Sequence, residues 1–131
     1  MPLSEHSADL LATAEAGGTA YQAPSLIYLA IMTTLSTPST GGTEVNGDGY
    51  ARPEVAPATF WANDALGGLS NDAQQDWPEA AEDWGEVVEV AAFDAAEAGN
   101  RLWSEPLAEG VVVSNGQTFY IGAGALVRQA V

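Results

Sequence analysis

Trp84-Gly85-Glu86-Val87-Val88-Glu89-Val90-Ala91-Ala92-Phe93-Asp94 is the segment on which the fold turns. Its valines and closing phenylalanine favour extended backbone, so it predicts a long strand. Ala95 to Asn100 then makes a turn, and Arg101 to Glu105, where Leu102 alternates with polar neighbours, reads as the returning arm of a hairpin.

Working outward, Ser25 to Thr34 (Ser-Leu-Ile-Tyr-Leu-Ala-Ile-Met-Thr-Thr) is an apolar run rich in β-branched and aromatic residues, the mark of a strand buried on both faces. Ser36 to Gly42 is an exposed loop by its Ser, Thr, Pro and Gly content. Thr43-Glu44-Val45 and the turn Asn46-Gly47-Asp48-Gly49 follow. Tyr50 to Val55 resumes as an edge strand, because Pro53 cannot donate to a central ladder. Thr59-Phe60-Trp61 looks strand-like, Gly67-Gly68 turns, and Ser70 to Trp77 is polar. Toward the C-terminus, Gly110 to Val113 and Gln117 to Ile121 flank Ser114-Asn115-Gly116, an Asn-Gly hairpin signal, and Ala125 to Val131 supplies one more strand. At the other end, Ser4 is placed to cap a short amphipathic helix that Gly17-Gly18 stops. The expected architecture is mainly β: an antiparallel β-sandwich or partly closed barrel over residues 18–131, preceded by a helix or arm over 1–17.

Bulk properties exclude several functions. The 131 residues hold 18 Asp and Glu against three Arg and no Lys, a net charge of −15. Phosphate binding needs clustered Lys or Arg to release counterions, so neither nucleic acid nor an anionic membrane is an expected partner. No stretch approaches the ~20 apolar residues that span a bilayer. The acidity reads as a well-hydrated, self-repelling surface.

The chemistry of sites points the same way. Cysteine is absent, which removes disulfides, thiolate nucleophiles and Cys-ligated zinc. His6, the single histidine, has no second ligand or triad partner in the sequence pattern. Glu79, Glu82, Asp83, Glu86 and Glu89 could supply the carboxylate pair of a glycosidase, but with 18 acids some are always neighbours. Asn46 to Gly49, and Asn71-Asp72 with Asp76, carry oxygen ligands in turns; the first lacks the closing Glu of an EF-hand loop, and both read as plain turns, where Asn, Asp and Gly bond their own backbone. No enzyme activity, metal or cofactor is expected. The four Trp read as core or core-edge residues, with carbohydrate stacking as the competing function.

Several segments taken together carry a resemblance: Gly18-Thr19-Ala20-Tyr21 with Ala23-Pro24, Gly42-Thr43-Glu44-Val45, Gly49-Tyr50-Ala51-Arg52, Trp84-Gly85, Phe93-Asp94-Ala95 and Gly99-Asn100. In this order, over about Ala8 to Val131, the chain resembles a family of small tailed-phage virion proteins labelled tail-fibre or phage structural proteins. The resemblance implies a virion component. At this chain length the expectation is a capsid decoration (cement) protein: a homotrimer on the capsid exterior that clamps the major capsid protein. A tail or tail-fibre component is the alternative, and a carbohydrate-binding module the second. The interface candidates are Leu3, Leu10 and Leu11 on the N-terminal segment, with Tyr21, Tyr50 and Arg52; for the two tyrosines a core position competes with that role.

Overall fold

The computed structural model describes residues 3–18, 24–63 and 69–128. In chain order the elements are α1 (Glu5–Glu15), β1 (Ile27–Met32), β2 (Glu54–Val55), α2 (Pro57–Phe60), β3 (Trp61–Asn63), β4 (Leu69–Asn71), β5 (Gln75–Asp76), β6 (Gly85–Phe93), β7 (Arg101–Val113), β8 (Tyr120–Ile121) and β9 (Val127–Arg128). The chain is mainly β with a short N-terminal helix, and every strand pair is antiparallel. A four-stranded sheet runs in the order β2-β1-β6-β7, beside a three-stranded sheet β3-β4-β9 and a two-stranded sheet β5-β8. Among the described residues no sheet closes into a barrel.

The quoted segment is the centre of this arrangement. β6 pairs with β1 from Tyr28 opposite Phe93 to Met32 opposite Glu89, and with β7 on its other side, so its backbone is bonded along both edges. The turn joining β6 to β7 holds Ala98 and Gly99 at positive φ, where a Cβ on Gly99 would stand 2.6 Å from the Asp94 carboxylate. A bulge interrupts the hairpin: Val87 faces Val111 while Glu89 faces Pro106, so residues 107–110 stand against the single Val88. Val87 and Val90, on either side of this irregularity, are both buried in the main core.

Both faces of β1 are covered, as its composition predicts. Ile27, Leu29 and Ile31 enter the main core with Val87, Val90, Ala92, Trp77, Trp84, Leu102, Trp103, Phe119 and Leu126, while Ala30 and Met32 meet Ala91 and Phe93 on the opposite face. The 36–42 loop is drawn against that second face. Buried Glu89 accepts hydrogen bonds from the Ser36 N–H (2.9 Å) and hydroxyl, and the Ser36 Oγ accepts from the Gly42 N–H. Arg101 donates to the carbonyls of Thr37, Pro38 and Thr40.

Several local expectations differ from the structure. The edge strand expected over Tyr50 to Val55 is formed only at Glu54–Val55, after Pro53, and Tyr50 stands in the loop before it. Thr59-Phe60 lies in the single turn α2, begun by Pro57 at a position where its missing N–H costs nothing, and the strand starts only at Trp61. Asn115-Gly116 does turn the chain, but β8 pairs with β5 rather than returning along β7; the turn is instead anchored by Gly116 N–H on Ala80 O and Asn115 N–H on Asp83. β7 runs unbroken from Arg101 to Val113, joining two segments that read as separate strands.

The N-terminal helix is capped as expected: the Ser4 Oγ accepts from Ser7 N–H at 3.2 Å, and Gly17, at φ 84, ends it. Only Ser7 of α1 is buried. The helix is tied down mainly at its start, by Ser4 N–H on Leu102 O, Glu5 N–H on Pro38 O and a bridge between Leu3 and Trp103.

Candidate functional site

Four of the segments that carry the family resemblance come together in space. β1 has one edge on β6, and its other edge is served piecewise. β2 pairs with Ile27 and Tyr28, Pro53 O accepts from Leu29 N–H, and Thr43 to Val45 lies beside Ile31 to Thr33. Between these stretches the chain leaves the sheet as the loop 46–52. The Tyr50 side chain returns to fill the gap: its hydroxyl oxygen accepts from Ile31 N–H at 3.3 Å and donates to the Glu44 carboxylate.

Glu44 is also held by Arg52, with Nε and Nη2 each 2.8 Å from a carboxylate oxygen, a bidentate pair. The remaining nitrogen, Nη1, donates to Ala95 O at 2.8 Å and Ala98 O at 2.9 Å, and the guanidinium carbon lies 3.9 Å from the centre of the Phe93 ring. One arginine thereby joins the 43–52 segment to the β6–β7 turn. That turn is closed by Asp94, which accepts from the Asn100 N–H and side-chain amide. Gly-Thr-Glu-Val, Gly-Tyr-Ala-Arg, Phe-Asp-Ala and Gly-Asn are four parts of one network.

Its electrostatics are those of a structural clamp. Burial works against the Glu44 charge, yet the Arg52 hydrogen bonds, the Tyr50 hydroxyl and the guanidinium charge outweigh it and hold the carboxyl below its usual range. Burial, followed by the neighbouring carboxylate, pushes the Tyr50 phenol well above its ordinary value. The bond to Glu44 raises Arg52 further, against desolvation. All three groups stay in one charge state across ordinary pH. A proton shuttle needs the opposite.

The other sequence candidates are spread out. Leu3 is half-buried against the core beside Trp103, Leu11 is half-buried, and Leu10 is exposed at 42%. Tyr21 lies outside the described residues. Tyr50 packs edge-on against Trp84 with ring centres 5.6 Å apart, and the Arg52 side chain is 5% exposed, so both are committed to internal contacts. Trp77, Trp84 and Trp103 are buried, and Trp61 is half-buried with its ring against Phe60 and Trp103. Among the described residues, no three His, Asp or Glu side chains form a group able to hold a metal. Asn71 is buried with every polar atom used, donating to Ala73 O and Gly122 O and accepting from Leu126 N–H.

The surface that sequence reading did not single out is beside β7. Val111, Val112 and Tyr120 are exposed at 43%, 64% and 57%. They border two adjoining grooves of about 580 and 510 Å³, which share Val111, Phe119 and Tyr120. The signal was available in Val111-Val112-Val113, where alternation with polar residues fails.

No curated protein matches the chain. The family described as podophage GP4 fiber I protein gp80 matches residues 2–129 and takes in each of the segments joined by the Glu44, Tyr50 and Arg52 network. With nearly its whole length matched, the chain belongs to this family of phage virion structural proteins.

Proposed function

We propose that this chain is a non-enzymatic building block of the virion's fibre apparatus, a rigid β-rich module that works by binding other virion proteins. The observation that carries the reading is the match to a podophage fibre protein across residues 2–129. Its polar residues support it: the best-organised polar cluster, Glu44, Tyr50 and Arg52, is consumed in holding loops together. Such a module gains affinity from shape, a few apolar anchors and many copies acting in parallel.

A second reading places the protein on the capsid exterior as a trimeric cement against the major capsid protein. It is favoured by a sequence without the internal repeat that fibrous shafts use. One experiment separates the two. Particles assembled without this protein are expected to keep full resistance to heat and chelator but to lose adsorption to cells; early bursting with adsorption intact would instead establish the capsid reading. Hydrolysis of a host glycan by the purified protein, lost on changing one carboxylate, would overturn both.

A further inference from the structure

β7 is an edge strand of the four-stranded sheet, and such strands ordinarily carry a device against pairing with other chains: a charge, a proline or a bulge. Here those devices are confined to one stretch. Pro106, Glu109 and the bulge at 107–110 guard the middle of β7, and Leu3 and Ser4 cover Leu102 and Trp103. Val111-Val112-Val113 carries none. Among the described residues no strand pairs with the outer edge of β7 beyond Trp103. Facing that edge across the two grooves is the segment 117–121, whose β8 is bonded to β5. The result is a slot with an apolar lining of Leu107, Val111, Phe119, Tyr120 and Leu126.

Charge decides the occupant. Glu109 lines the slot, and Glu86 lies so close to Gly110 that a Cβ there would stand 2.6 Å from its side chain. The chain as a whole carries −15. A second copy laid on β7 would add its own acidic side chains and another −15 of charge at the same edge, a repulsive arrangement. A segment with Lys or Arg between apolar residues meets the acidic rim and the apolar lining at once.

We propose that the edge of β7 at 111–113 takes an extended segment of another protein, with alternating apolar and basic side chains, added as a strand in the slot between β7 and residues 117–121. This holds whichever part of the particle the chain occupies. Backbone hydrogen bonds supply the generic affinity, the slot takes the apolar side chains, and Glu86 and Glu109 select the basic ones.

The test titrates the full-length protein with the peptide VKVKVKV, following its backbone amides by NMR. VEVEVEV and a version of VKVKVKV N-methylated at alternate residues serve as controls. The basic peptide is expected to shift amides of residues 109–113 and 117–121, with affinity at least tenfold weaker for either control and for Val112→Lys, an exposed substitution that leaves the fold intact. Shifts centred elsewhere, equal binding of the N-methylated peptide, or no binding would overturn the proposal. So would concentration-dependent dimerisation of the protein alone in sedimentation that Val112→Lys abolishes, since the occupant would then be a second copy.

Discussion

The Tyr50 hydroxyl accepts the Ile31 N–H at 3.3 Å, standing where a strand carbonyl would stand in the ladder beside β1. A side chain thus completes a backbone edge that the 46–52 loop leaves open. Removing that oxygen leaves a buried donor without a partner and takes one donor from Glu44, which costs about 1–3 kcal/mol by the usual penalty for an orphaned group. Tyr50→Phe should lower the urea midpoint accordingly while leaving its slope unchanged. A loss below about 0.5 kcal/mol would mean that water replaces the hydroxyl without cost.

The Glu44 clamp gives stability a defined dependence on acid. Because Arg52 and Tyr50 hold the folded carboxyl below its ordinary 4.5, the contribution is fully present above about pH 4.5 and is lost as pH falls through the lower folded value. Tyr50 works with the opposite sign: its folded phenol is raised, so its contribution is present below its ordinary value of 10.0 and lost at more alkaline pH. Unfolding free energy measured from pH 7 to 3 should fall more steeply for the wild-type protein than for Glu44→Gln. Parallel curves would remove Glu44 from the account.

Glu89 is buried in β6 and bonds both the N–H and the hydroxyl of Ser36. Glu89→Ala leaves both Ser36 donors without their acceptor and opens a space in the sheet, so it should cost roughly 2–4 kcal/mol, and Glu89→Gln, which keeps one acceptor oxygen, about half as much. The 36–42 amides should also lose protection from hydrogen exchange. If they keep it in Glu89→Ala, the loop is held by Arg101 alone.

At the N-terminus the expectation is a local effect. Ser4→Ala removes the cap on Ser7 and should cost about 1 kcal/mol of helix stability, yet α1 contributes only Ser7 to the buried set. Fraying of residues 5–15, seen as loss of helical NMR shifts, should therefore exceed any change in melting temperature. An equal fall in both would show that the helix unfolds only with the sheet.

What could be read in advance was whatever local pattern controls. The hairpin of β6 and β7, the double burial of β1, the edge position of β2 and the Ser4 cap all follow from alternation, apolar runs, Pro53 and a capping side chain. Asn115-Gly116 misled because a turn signal fixes where the chain bends and leaves open which strand it joins; hydrogen bonds to Ala80 and Asp83 decide that. The Glu44, Tyr50 and Arg52 network was named in part, with Tyr50 and Arg52 as interface candidates and a core position weighed for Tyr50. Its organisation depends on Ala95 and Ala98, over forty residues away, and no spacing rule reaches that far. The scarcity of cations was the usable hint, since an arginine among so many acids is readily paired.

One loop covers the second face of the sheet, and Met32 lies beneath it, 1% exposed and directly across from Glu89. A thioether so placed is a natural clock for the loop. Peroxide reaches a sulfur so deeply buried when its surroundings open, so the rate of sulfoxide formation at Met32 records how often this face, where Glu89 holds the 36–42 loop, is uncovered in free protein and in assembled particles.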